Sequence, residues 1–266
     1  MDETVRVTRH AGWAEIRIDR EARRNALDRA TRHALATAFA ELAKPHAEPH
    51  AEIRAIVLTG TGASFCAGLD LREREAERAA GAPDVAGQEA IELNLAMRAH
   101  PAIFIAAVNG LALGGGVTLV NSCDLAIASS EAALGCPEIG FANYASMAGP
   151  TSQLLLTRKR AAWLLLTTER IDAATAADWG LVNEVVAPAR LDARAAELAV
   201  RLAGFDAAAL AETKAALEKI PAEITRWREA MDYGQTVNAR IRERTSAAAA
   251  GLAHFATAGR HRGQGT

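Results

Sequence analysis

"IAAVNGLALGGGVTLVNSCDLAIAS" (Ile105–Ser129) carries a strand, a glycine turn, a helix and a second strand in one short run. Its opening, with Ala102, Ile103 and Phe104 just before it, has the continuous apolar pattern of a buried strand. "GGGVTLVNSCD" reads as a turn entering a helix, and "LAIAS" (Leu125–Ser129) as the next strand. This order predicts a layered α/β core. Glycine inside an element costs roughly 0.5–1 kcal/mol relative to alanine. Three in succession, Gly114–Gly116, therefore imply that bare backbone is needed there.

The same alternation extends upstream. "TVRVTRH" and "AEIRID" are short strands joined near Gly12, and "RNALDRATRHALATAFAELA" (Arg24–Ala43) has the apolar spacing of a helix, ended by Pro45 and Pro49. "AEIRAIVLTG" (Ala51–Gly60) is a buried strand, followed by the loop "TGASFCAGLDL" (Thr61–Leu71). "LREREAERAAGAPDVAG" (Leu71–Gly87) is charged and weakly periodic, a surface excursion, and "QEAIELNLAMRAH" (Gln88–His100) is a helix.

From Ala148 the pattern turns almost wholly helical, interrupted by the short strand "LVNEVV" (Leu181–Val186). Asp172 is placed to N-cap "AATAADW" and Gly180 to end it. The segments onward to "GLAHFATAG" (Gly251–Gly259) read as helices whose apolar face needs a core or another subunit, and "GRHRGQGT" as a frayed tail. No internal repeat is visible.

Half of the 266 residues are hydrophobic and 23% are charged, the composition of a soluble globular protein. A formal net charge of −2 offers no basic field for nucleic acid or an anionic membrane. Cys66, Cys123 and Cys136 match no zinc spacing, and their odd number suits a reducing cytoplasm. "MDETVRVTRH" is not a signal peptide, and "PAIFIAAV" (Pro101–Val108) is too short to cross a bilayer. The expectation is a soluble, cytoplasmic protein.

Three stretches carry candidate chemistry. Alone, the glycine triplet is explained by a tight strand-to-helix turn, but a helix start also exposes unpaired N–H groups at the positive end of its dipole. "ASFCAGLDL" (Ala63–Leu71) follows a buried strand in the same way, so two backbone donors from two strand ends could converge on one carbonyl oxygen. Glu138 stands in an apolar setting among Leu134, Ile139 and Phe141, where burial would raise its pKa and suit it to acid–base work. An exposed turn glutamate is the alternative.

These stretches, with "RNAL", "PEIGF" and "ERIDAATAADWGLVNEVV", resemble the enoyl-CoA hydratase/isomerase (crotonase) superfamily in order and spacing, from about Thr4 to Val186. The resemblance implies a crotonase-like ββα spiral core over residues 1–205 and a C-terminal helical trimerisation region over residues 206–266. It also implies an acyl-CoA substrate, of which coenzyme A is a part, and neither a separate cofactor nor a metal. Assembly would be a homotrimer or a dimer of trimers, with no nucleic-acid or membrane partner.

By position, the thioester oxygen would be held by the amides of Leu69 and Gly115. Ala67, Leu69, Asp70, Leu71 and Arg72 would lie along the coenzyme A side of the pocket, Asp70 in a structural rather than catalytic role. Arg24 and Ala26 would lie near pantetheine and nucleotide. Arg23 and Arg24 could meet phosphates, or be a solvated charge pair. Lys214 and Phe255 are candidates to complete a neighbour's site.

The chain departs from the family's hydratases at Thr118, where they carry the first of two glutamates. A threonine hydroxyl can orient water or substrate but cannot act as a carboxylate base. Glu138 alone fits a shift of a double bond between the 3- and 2-positions better than an efficient hydration, though hydration stays open. Tyr144 and Asn143 stand where some branches place catalytic polar groups, so decarboxylation or hydrolysis is a further reading. A non-catalytic acyl-CoA-binding protein is the reading from another class.

Overall fold

A computed structural model of the chain describes residues 4–44 and 52–247. Phe255, Pro45, Pro49 and the helix expected over 251–259 lie outside these residues. Two sheets organise the core. The larger contains β1 (Val5–His10), β2 (Trp13–Ile18), β3 (Ala55–Gly60), β5 (Ile103–Val108), β7 (Leu125–Ser129) and β10 (Glu184–Val186), in that order. β1 and β2 form an antiparallel hairpin, and every later pairing in this sheet is parallel. The smaller sheet is β4 (Ser64–Cys66), β6 (Leu111–Leu113), β8 (Ala133–Gly135) and β9 (Ile171–Asp172). Its first three strands are parallel.

Between the strands run α1 (Arg29–Leu42), α2 (Leu71–Ala79), α3 (Ala86–Ala99), α4 (Gly115–Ser122), α5 (Ala148–Leu155), α6 (Arg158–Leu166) and α7 (Ala173–Trp179). The chain thus winds through one unit three times. β3 leads to β4 and α2, β5 to β6 and α4, and β7 to β8 and α5. A structural repeat exists where the sequence shows none, because only the strand–strand–helix order is repeated.

Period-2 geometry explains why the central strands are apolar throughout. Along β3, Ile56 and Leu58 enter the main core with Phe39, Phe65 and Phe104. Ala55 and Val57 point the other way, against Leu191, Ala195 and Ala199 of α8 (Leu191–Ala203). The expected caps are present. The Asp172 carboxylate accepts from the Thr175 amide at 2.7 Å, and Gly180 takes φ 84° at the end of α7.

The segment expected to be a surface excursion has no buried residue over 71–85, and its first part, Leu71–Ala79, forms α2. Asp70 caps it, accepting from the Arg72 and Glu73 amides at 3.1 and 3.4 Å, and supplies the start signal that weak periodicity hid. The loop "TGASFCAGLDL" similarly contains β4.

α9 (Ala207–Glu223) and α10 (Trp227–Arg244) complete the described chain. Lys214 of α9 is buried against the chain's own core, 2.9 Å from Asp124 and donating to the carbonyls of Met97 and Ala102. It is a structural cation within the subunit. Among the described residues, no helix is long and apolar enough to cross a membrane.

Candidate active site

Three parallel strands of the smaller sheet end side by side, and each end releases one element of the site. After β4 come Ala67, Gly68 and Leu69, after β6 Gly114 and Gly115, and after β8 Cys136, Pro137 and Glu138. Parallel pairing sets their C-terminal ends at one edge, which is why segments about 45 and 20 residues apart in sequence converge.

The glycine triplet is needed because of what approaches it. Gly114 has φ 49°, and a Cβ there would overlap Oε1 of Glu138. A Cβ on Gly116 would overlap the carbonyl oxygen of Cys66. Gly115 faces Gly68 and Leu69, a Cβ on it falling 3.5 Å from the Leu69 nitrogen. Gly68, at φ 86°, needs the same bareness, since its Cβ would lie 3.0 Å from the Gly115 nitrogen. The Leu69 and Gly115 amides therefore sit in adjoining backbone. Around Leu69 the ladder uses its neighbours instead: Leu27 donates to the Gly68 carbonyl and Asp70 to the Leu27 carbonyl. The Gly115 amide is at the first turn of α4, where no intrahelical acceptor exists.

Glu138 starts a 3₁₀ turn over Glu138–Phe141. It is partly buried, and its Oε2 is a buried oxygen without a hydrogen-bond partner among the described residues. Loss of solvent raises its pKa above the ordinary carboxylate value, opposed only by its own backbone amide. Thr118 is buried, its hydroxyl donating to the Gly114 carbonyl at 3.3 Å.

These groups line a cavity of about 830 Å³. Of the expected site residues, Ala67, Leu69, Leu71, Gly115, Thr118, Glu138 and Tyr144 line it, and Arg24, Ala26, Asp70 and Arg72 do not. Arg24 is exposed, in a left-handed turn at φ 51°. Ala26 is buried, and its carbonyl accepts from Arg20. Asp70 pairs with Arg20 at 3.1 Å. Burial pushes the Asp70 pKa up, but the amide bonds of α2 and the Arg20 guanidinium outweigh this and hold it below the usual range. Arg72 is exposed on α2.

Tyr144 is 57% exposed, with its hydroxyl accepting from Gln153 at 2.8 Å. The Asn143 side chain donates to the Phe141 carbonyl, and its amide to the Glu138 carbonyl. The Cys66 and Cys136 thiols beside the site are pushed up to about 12 by burial, and so are poor nucleophiles. No group of three His, Cys, Asp or Glu among the described residues is placed to hold a metal ion. Sequence reasoning missed Arg74, Asn94 and Met147, which also line the cavity. For Arg74 and Asn94 the signal, the inward face of α2 and of α3, required the helices' orientation; Met147 lies in the loop just before α5, where no periodicity marks it.

The description Enoyl-CoA hydratase/isomerase belongs to the family that matches residues 8–256. YngF of Bacillus subtilis, an enoyl-CoA hydratase/isomerase by assignment, is 39% identical over 178 residues, 65% of this chain and 66% of that protein, just short of two thirds of its length. A short-chain-enoyl-CoA hydratase of Clostridium acetobutylicum is 35% identical over 211 residues, 77% of each chain. The crystal structure of an enoyl-CoA hydratase from Mycobacterium smegmatis superposes with a TM-score of 0.85 at 29% identity, over 99% of this chain and 100% of that one.

Proposed function

The chain belongs to the enoyl-CoA hydratase/isomerase family and has its α/β fold, and from that premise we propose an acyl-CoA enzyme that works through one carboxylate. The thioester oxygen accepts hydrogen bonds from the Leu69 and Gly115 amides. One such donor is typically worth about 3–4 kcal/mol of transition-state stabilisation. The Glu138 carboxylate removes a proton from C2 of a 3-enoyl thioester, and the electron pair delocalises into a dienolate held by the two amides. Protonated Glu138 then delivers the proton to C4, leaving the double bond between C2 and C3. Proton and charge balance without a second acid or base.

The observation that carries this reading is Glu138, whose Oε2 is buried with no hydrogen-bond partner among the described residues and whose Oε1 lies against the glycine turn that opens α4. Hydration is the second reading. It is favoured by the Thr118 hydroxyl, which lines the same cavity and retains lone pairs for a water. Decarboxylation or hydrolysis through Tyr144, and acyl-CoA binding without turnover, remain the other outcomes. Ala67, Leu71 and Tyr144 complete the acyl-CoA contacts; Arg24, Ala26, Asp70 and Arg72 act from outside the cavity, toward coenzyme A or through α2.

Coenzyme A enters as part of the substrate, and the proposal includes no separate cofactor, metal or nucleic acid and a cytoplasmic location. Assembly as a homotrimer or dimer of trimers is part of it, supported by exposed Leu154, Leu155, Trp163 and Leu166 on α5 and α6. Product analysis with matched 2- and 3-enoyl-CoA thioesters tests the reaction. Interconversion of the two with slower appearance of 3-hydroxyacyl-CoA is expected. Hydration faster than migration would transfer the proposal to the Thr118-assisted reaction.

A further inference from the structure

The cavity wall beyond the reacting carbons is polar in an ordered way. Asn94 of α3 lines the cavity and is only 9% exposed. Its amide is fixed at both ends: Oδ1 accepts from the Ser122 hydroxyl at 2.8 Å, and Nδ2 donates to the Ala90 carbonyl at 2.7 Å. That leaves one of its two amide donors without a partner among the described residues. Ser122 lies seven residues along α4 from Gly115, about 10 Å along the helix axis, so Asn94 is held several carbons away from the thioester end. Thr118, between them on the same face, contributes a hydroxyl. A site for a plain hydrocarbon chain would not fix an amide here, since a buried donor without a partner is costly.

The facing wall decides the charge of the ligand. Arg74 and Arg78 of α2 line the cavity, but each is already paired, Arg74 with Asp84 at 2.6 Å and Arg78 with Glu75 at 2.9 Å. Glu77 and Glu138 add further acid to the lining. Among the described residues that line the cavity, every cation already has an acidic partner, and none is offered to a second carboxylate.

We propose that the acyl group bears a neutral oxygen function, a hydroxyl several carbons from the thioester, bound by Asn94 with Thr118. This rests on the acyl-CoA reading above and names its substrate class.

The test uses six-carbon 3-enoyl-CoA thioesters ending in methyl, hydroxymethyl or carboxylate. The hydroxyl-ended thioester is expected to have a kcat/KM at least about tenfold above the methyl-ended one, with the carboxylate poorest. Asn94→Leu should bring the hydroxyl-to-methyl ratio near one, and Ser122→Ala, which only frees the amide, should lower it partially. A purely structural role would alter both substrates alike and leave the ratio unmoved. Preference for methyl or carboxylate, or a ratio unchanged in both variants, would overturn the proposal. If no thioester turns over, the enolate reading fails. Calorimetric affinities for the three thioesters then still decide this inference, by the same order and the same variants.

Discussion

Glu138 carries a conflict between burial and ionisation. A carboxylate with one buried, unpartnered oxygen is unfavourable for the fold and useful for proton transfer, because its raised pKa brings it nearer the working pH. As the proposed base it must start ionised, so kcat/KM should fall as pH drops through a pKa above the ordinary glutamate value, and stay level above it. A pH–rate profile checks this. Glu138→Gln should lower kcat/KM by about 10²–10⁴. The same substitution removes a charge the fold disfavours, so its melting temperature should match or exceed that of the parent at neutral pH. Thr118 and Glu138 were both legible in the sequence, because a motif fixes their positions. Asn94 was not, because nothing in "QEAIELNLAMRAH" distinguishes a cavity-facing amide from one on a solvated face.

At the scale of elements, the turn that opens α4 has two glycines with different tasks. Gly116→Ala would press a methyl into the Cys66 backbone carbonyl, which cannot move without disturbing β4. A loss of about 3 kcal/mol or more is expected, read by denaturant unfolding. Gly114→Ala meets instead the end of the Glu138 side chain, which can swing away. That variant should still fold, at a strain cost of about 1–3 kcal/mol because φ 49° with ψ −111° is a glycine conformation, yet lose activity about as fully as Glu138→Gln. The large parallel sheet was readable because β3, β5 and β7 are continuous apolar runs. The small sheet was not. β4, β6 and β8 have three residues each, too few for periodicity to show, yet their ends assemble the site. α2 was hidden for the opposite reason: none of its residues is buried, so its only signal is the Asp70 cap.

For the whole molecule, two buried groups tie the layers together. Lys214 joins α9 to Asp124 and to the carbonyls before β5, so Lys214→Met should cost about 3–5 kcal/mol in equilibrium unfolding by leaving the Asp124 charge with the Phe104 amide but no cation. His100 is buried, accepts from the Ala102 amide through Nδ1 and meets the Phe39 carbonyl through Nε2 at 3.2 Å. Burial drives its pKa down to about 4, reinforced by Lys214 and opposed by the Phe39 carbonyl. The unfolded chain takes up this proton near pH 6.5 and the folded chain only near 4. The group's contribution is therefore complete above pH 6.5 and is lost as pH falls toward 4, on the order of 3 kcal/mol. Urea unfolding across that range, with His100→Gln for comparison, isolates it. The helical tail was visible as amphipathic sequence, but its packing on its own core includes a buried lysine and an Arg98–Glu218 ion pair that composition does not reveal. The spiral brings three strand ends together, the proposed mechanism has one carboxylate act there beside two amides, and α-proton exchange in D₂O tests that most directly. With an acyl-CoA thioester, the protein should exchange C2 hydrogen for deuterium and Glu138→Gln should not. Undiminished exchange in Glu138→Gln would contradict the account.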